Sequence, residues 1–144
     1  MPHLKELLGF LSSVPLFRGS SKRQLERLAQ KFVTRDYAAD QAIITQGKGG
    51  EGLFIIKSGG AKVVRERADG SKVVVNTLGP TDFFGEMALL DDGLRTASVI
   101  TTEDTRCLVL TRWDFLAVLR KDVDMSITVL QELAKRFRLV LDVL

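Results

Sequence analysis

The chain has 144 residues, 45% of them apolar, and a formal net charge of +3, which provides for one domain with its own core and excludes a disordered chain. No run of about 18 apolar residues could span a membrane, and the start, Met1-Pro2-His3-Leu4-Lys5-Glu6, lacks the basic-then-apolar layout of a secretory signal. A single cysteine, Cys107, excludes an internal disulfide framework or a four-cysteine cluster, so a cytoplasmic protein is expected.

The first third reads as helix. Leu4, Leu7, Leu8 and Leu11 recur at helical spacing, and Val14-Pro15-Leu16-Phe17 interrupts them, because proline restricts the residue before it. Ser21 followed by Gln24 predicts a capping box, and Leu25, Leu28, Ala29 and Phe32 then mark a second amphipathic helix. From about Val33 to Leu110 the period shortens to that of strands. Apolar runs fall at Ala42–Ile44, Leu53–Ile56, Ala61–Val64, Val73–Leu78, Ala97–Ile100 and Arg106–Leu110, with Asp69-Gly70 as a hairpin signal. Short strands so spaced argue for a sandwich or a closed barrel.

Helix returns at Thr111, a capping residue with Asp114 in the first turn. Asp122 or Asp124 can cap a last helix reaching Leu144. On it, Ile127, Leu130, Ala134, Phe137, Leu141 and Leu144 are spaced 3-4-3-4-3. That seam fits either a dimer or packing on the chain's own barrel. Leu133, Val140 and Val143 form a second apolar edge.

Chemistry concentrates between Phe83 and Val99, FFGEMALLDDGLRTASV. Gly85 opens a helix-like run, whose first turn leaves backbone N–H groups suited to an anion. Arg95 carries a planar donor fork matched to phosphate oxygens. Glu86 would repel a phosphate, unless it accepts a hydrogen bond from a hydroxyl of the same ligand. A singly charged phosphate beside a hydroxyl describes a cyclic nucleotide.

Other motifs carry less. Gly47-Lys48-Gly49-Gly50-Glu51-Gly52 satisfies G-x-G-x-x-G, but it opens the strand-like Leu53–Ile56 and not a helix, so it reads as a glycine-rich hairpin loop. His3 reads as solvated, and Cys107 as a core residue. Asp82, Glu86, Asp91 and Asp92 lack histidine partners, so no metal site is expected. With no activated nucleophile either, no catalytic residue is assigned. The basic residues are spread out, and Lys135-Arg136-Phe137-Arg138 reads as a solvated helix face, so no nucleic-acid partner and no membrane partner are expected for this chain.

The order Phe84-Gly85-Glu86-Met87-Ala88-Leu89, then Arg95-Thr96-Ala97-Ser98-Val99, closely resembles the phosphate-binding cassette of the cyclic nucleotide-binding domain family. Leu94 departs from it, standing where many members have proline. The Pro15-Leu16-Phe17 turn resembles the family's leading segment. The resemblance implies an α+β, mainly β fold. It would be a jelly-roll β-barrel with N-terminal helices (1–32), a barrel over 33–110 with a short cassette helix within 83–99, and long C-terminal helices over 111–144, all one domain. It implies ligand contacts from Gly85, Glu86, Met87, Ala88, Arg95, Thr96 and Ala97. Glu86 would hold the ribose 2′-hydroxyl, Arg95 the phosphate, and backbone N–H groups of Ala88 and Ala97 would complete the cradle. Thr96 stands where the family tunes base preference, and it permits cGMP without requiring it, leaving cAMP or cGMP. Some relatives bind haem or an iron–sulfur cluster, but this sequence lacks the cysteines for the cluster and has too few candidate axial ligands for haem, so no cofactor is expected. The implied function is a regulatory sensor that relays binding through its C-terminal helix, which also offers a homodimer seam. Two alternatives are a nucleotide-free protein–protein module of the same fold and the sensor half of a transcription factor.

Overall fold

The structure, a computed structural model, describes residues 2–47, 52–85 and 97–142. Eight strands are present among them: β1 (Val33–Tyr37), β2 (Ala42–Ile44), β3 (Gly52–Ser58), β4 (Ala61–Glu66), β5 (Lys72–Leu78), β6 (Phe83–Phe84), β7 (Ser98–Thr101) and β8 (Thr105–Thr111). They form two four-stranded antiparallel sheets, ordered β1-β8-β3-β6 and β2-β7-β4-β5. This is the jelly-roll class, with one correction. Among the described residues no ladder joins the sheets, so they are stacked layers and not a closed barrel. Each layer buries one apolar face against the other, and such stacking excludes water without closure.

The inner faces meet in a cluster of Phe54, Ile56, Phe84, Cys107 and Val109 from the first sheet with Ala61 and Val99 from the second. Leu53, Ile55, Leu108 and Leu110 point the other way along β3 and β8, yet they too are buried. These strands are therefore continuous apolar runs and not alternating ones. β8 approaches β3 closely enough that a Cβ at Gly52 would sit 2.6 Å from the Leu110 carbonyl oxygen.

Local rules set the connections. Between β4 and β5, Gly70 takes φ +86°, and Asp69 Oδ1 accepts from the Ser71 N–H and hydroxyl at 2.9 and 2.6 Å. Those bonds hold the Asp69 carboxyl below its ordinary pKa. Thr101, fully buried, accepts from the Gln41 N–H at 2.9 Å and donates to the Ala38 carbonyl at 2.6 Å. The short β1–β2 connection is thereby tied to the end of β7.

By compactness the chain divides into residues 31–115, which hold both sheets, and residues 1–30 with 116–144. The second unit contains α1 (Pro2–Ser13), a 3-10 turn (Pro15–Phe17), α2 (Lys22–Ala29) and α4 (Val123–Asp142), while α3 (Arg112–Lys121) begins in the first unit. The capping box at α2 forms as expected: Ser21 Oγ accepts from the Gln24 N–H at 3.1 Å, and Gln24 Oε1 from the Ser21 N–H at 2.7 Å. Thr111 Oγ1 caps α3 at 3.2 Å. Asp122, and not Asp124, caps α4 through the Met125 N–H at 3.0 Å.

On α4 the buried residues are Met125 and Val129, at 4% and 3% exposure. Ile127, Leu130, Phe137 and Leu141 are exposed, Leu130 and Phe137 at 65% and 62%. At about 100° per residue this heptad seam lies on the helix side opposite Met125 and Val129.

Candidate functional site

The described chain approaches the cassette from two sheets. On the first, β6 is fixed by backbone bonds to β3: Thr81 N–H to the Ile56 carbonyl, and Ile56 N–H to the Asp82 carbonyl, both at 2.9 Å. Asp82 Oδ2 closes the preceding turn by accepting from the Gly79 N–H at 2.8 Å. Phe83 and Phe84 are buried, and Phe84 stacks on Phe54. Gly85 follows with φ +92°, a conformation that side-chain-bearing residues rarely adopt. The backbone itself therefore favours glycine at this position.

On the second sheet, Ala97 is a half-buried bend leading into β7. Ser98 Oγ accepts from the Gln46 N–H at 2.8 Å. Ile44 and Val63 flank Val99 on either side, so β7 is an interior strand at this point. The cassette thus leaves one sheet at Gly85 and joins the other at Ala97. Of the expected ligand residues, Gly85 and Ala97 are placed, whereas Glu86, Met87, Ala88, Arg95 and Thr96 lie outside the described residues, as does the expected cassette helix.

The glycine-rich loop starts beside Ser98. Gly47 takes φ +82°, and Gly52 enters β3 and not a helix, which removes the dinucleotide reading. Sequence reasoning missed Gln46. Its Oε1 accepts from the Glu66 N–H at 2.8 Å and its Nε2 donates to the Glu66 carbonyl at 3.0 Å. The signal available was a long amide side chain immediately before a glycine turn.

Two further groups are accounted for by structure. Arg106 Nε and a terminal nitrogen reach the two Asp36 carboxylate oxygens at 2.7 and 3.2 Å across the β1–β8 ladder. That bidentate bond holds the Asp36 carboxyl below its ordinary range. Cys107 is fully buried, and burial, reinforced by the Asp36 charge, pushes its thiol up to about 12. It is an inert thiol at neutral pH. Among the described residues no helix is long and apolar enough to cross a membrane.

Comparison with known proteins agrees with this geometry. A cyclic AMP receptor protein of Thermus thermophilus is 36% identical over 124 residues, covering 86% of this chain and 57% of that protein. A cAMP-dependent protein kinase regulatory subunit of Mycosarcoma maydis is 38% identical over 105 residues, 71% of this chain and 20% of that one. The chain therefore spans less than two thirds of these relatives. The crystal structure of the Thermus thermophilus catabolite activator protein superposes with a TM-score of 0.83 at 36% identity, covering 90% of this chain and 62% of that chain. The sequence profile of the cyclic nucleotide-binding domain matches residues 34–122, and the chain belongs to that family.

Proposed function

We propose that the chain is a sensor domain that binds cAMP or cGMP within residues 83–99 and relays binding through its C-terminal helices, with residues 1–144 working as one domain. The observation that supports this most is the unbroken order Gly85-Glu86-Met87-Ala88 and Arg95-Thr96-Ala97 in a member of this family. In this reading Glu86 takes the ribose 2′-hydroxyl, Arg95 and the N–H groups of Ala88 and Ala97 take the phosphate, and Thr96 faces the base. A ligand shifts a conformational equilibrium only by its differential affinity for the two states, and the C-terminal segment from Arg112 is the element proposed to respond. The exposed seam of Ile127, Leu130, Phe137 and Leu141 favours a homodimer through α4, since an apolar stripe facing water is a partner surface.

Calorimetric titration with each nucleotide tests the reading. A ligand at about 100 times its dissociation constant adds roughly 2.7 kcal/mol to stability, a rise of several degrees in melting temperature. No heat and no thermal shift with millimolar cAMP or cGMP would favour the nucleotide-free module. Because the chain spans 57% of the Thermus thermophilus receptor, a second reading places it as the sensor portion of a longer transcriptional regulator.

A further inference from the structure

We propose that Gln46 is a positioning residue for the nucleotide cradle; the inference rests on the binding function above. The β4–β7 ladder ends with Val64 opposite Ser98. Two residues further along β4, beyond the last β4–β7 pair among the described residues, lie the N–H and carbonyl of Glu66. The Gln46 carboxamide takes both groups, at 2.8 and 3.0 Å. A side chain thus satisfies the Glu66 backbone just beyond the last β4–β7 pair among the described residues.

The backbone of Gln46 makes the second tie, donating its N–H to Ser98 Oγ at 2.8 Å. One residue therefore joins three points: the end of β2, the end of β4 and the start of β7. Gly47, with φ +82°, leads from it into the glycine-rich loop, and Ala97 precedes its hydroxyl partner. The described residue that leads into the loop, Gly47, and the one that follows the cassette, Ala97, thus both adjoin this clamp. All three bonds lie at or near the surface, where hydrogen bonds contribute modestly to folding. A cradle built from backbone N–H groups depends more strongly on such an anchor, because holding the bound geometry in advance lowers the cost of binding.

The 144-residue chain tests this, with cAMP and cGMP titrated calorimetrically and thermal unfolding followed without nucleotide. Gln46→Ala removes the carboxamide. Thr101→Val, a control at the far end of β7, removes the buried hydroxyl that ties Ala38 and Gln41. Gln46→Ala is expected to weaken binding about tenfold while lowering the melting temperature no more than Thr101→Val does, and Thr101→Val keeps wild-type affinity. Unchanged affinity in Gln46→Ala overturns the role of Gln46 alone. Affinity losses that merely follow the melting temperature in both variants reduce it to a fold contact. Failure of the wild-type chain to bind either nucleotide overturns the binding function and this role together.

Discussion

The ring of Phe84 lies parallel to that of Phe54, 5.2 Å between centroids and 5° between planes. The two residues are register partners of β6 and β3, and Phe84 is the last core residue before Gly85. The point at which the chain leaves the sheet for the cassette is therefore set by core packing.

Phe84→Ala should cost about 3–5 kcal/mol of stability, and Phe84→Leu, which fills much of the space, less than about 1.5 kcal/mol. Urea unfolding measures both. Near-wild-type stability in the alanine variant would show that the stack does not anchor β6.

In the proposed reading Arg95 is the charged partner of the bound phosphate, so Arg95→Ala should cost roughly 3–5 kcal/mol, about two to four orders of magnitude in affinity. Circular dichroism should show an intact fold if, as proposed, this arginine serves the ligand and not the core. A folded variant that binds as tightly as wild type would refute the assigned phosphate contact.

The thiol of Cys107 is raised from its ordinary 9.0 to about 12 in the folded chain. Between these values the unfolded chain loses the proton first, so stability falls as pH rises. The contribution is whole below pH 9.0 and is lost as pH approaches 12. Denaturation midpoints between pH 8.5 and 10.5 should show this slope, and Cys107→Val should flatten it. A disulfide reagent at pH 8 should label the thiol only in denaturant. Rapid labelling of the native chain would contradict the burial.

Phe137→Glu places a charge in the centre of the exposed α4 seam. Sedimentation at tens of micromolar should give dimers for the wild type and monomers for the variant. A wild-type chain that remains monomeric with and without nucleotide would restrict the helix to a role within one chain.

Legibility in the sequence followed the strength of the local signal. The capping box at Ser21, the Asp69-Gly70 hairpin and six strand runs could be read because each is decided by neighbouring residues. β1, Val-Thr-Arg-Asp-Tyr, gave no apolar run, since most of its residues are exposed. Its strand character comes from pairing with β8, more than 60 residues away. β6 has two residues, too few for any period. On α4 the 3-4 spacing located the seam, but the buried edge is Met125 and Val129, which the leucine pattern overshadows. Of the site, the cassette was legible as a motif. The Gln46 clamp was not, because one side chain bonding the backbone of a distant strand leaves no periodic trace.

Pairing β1 with β8 has a consequence for synthesis. Among the described strands, β8 is the only neighbour of β1, and their register joins Val33 to Val109. At about 5–20 residues per second, roughly 4–15 s separate their emergence from the ribosome, and a contact so distant in sequence also forms slowly. Until β8 arrives, Val33–Tyr37 has no ladder, and only its short, polar composition shields it from pairing with other chains. Nascent chains arrested before Thr105 should be cleaved by protease within β1, and chains extended past Thr111 should resist.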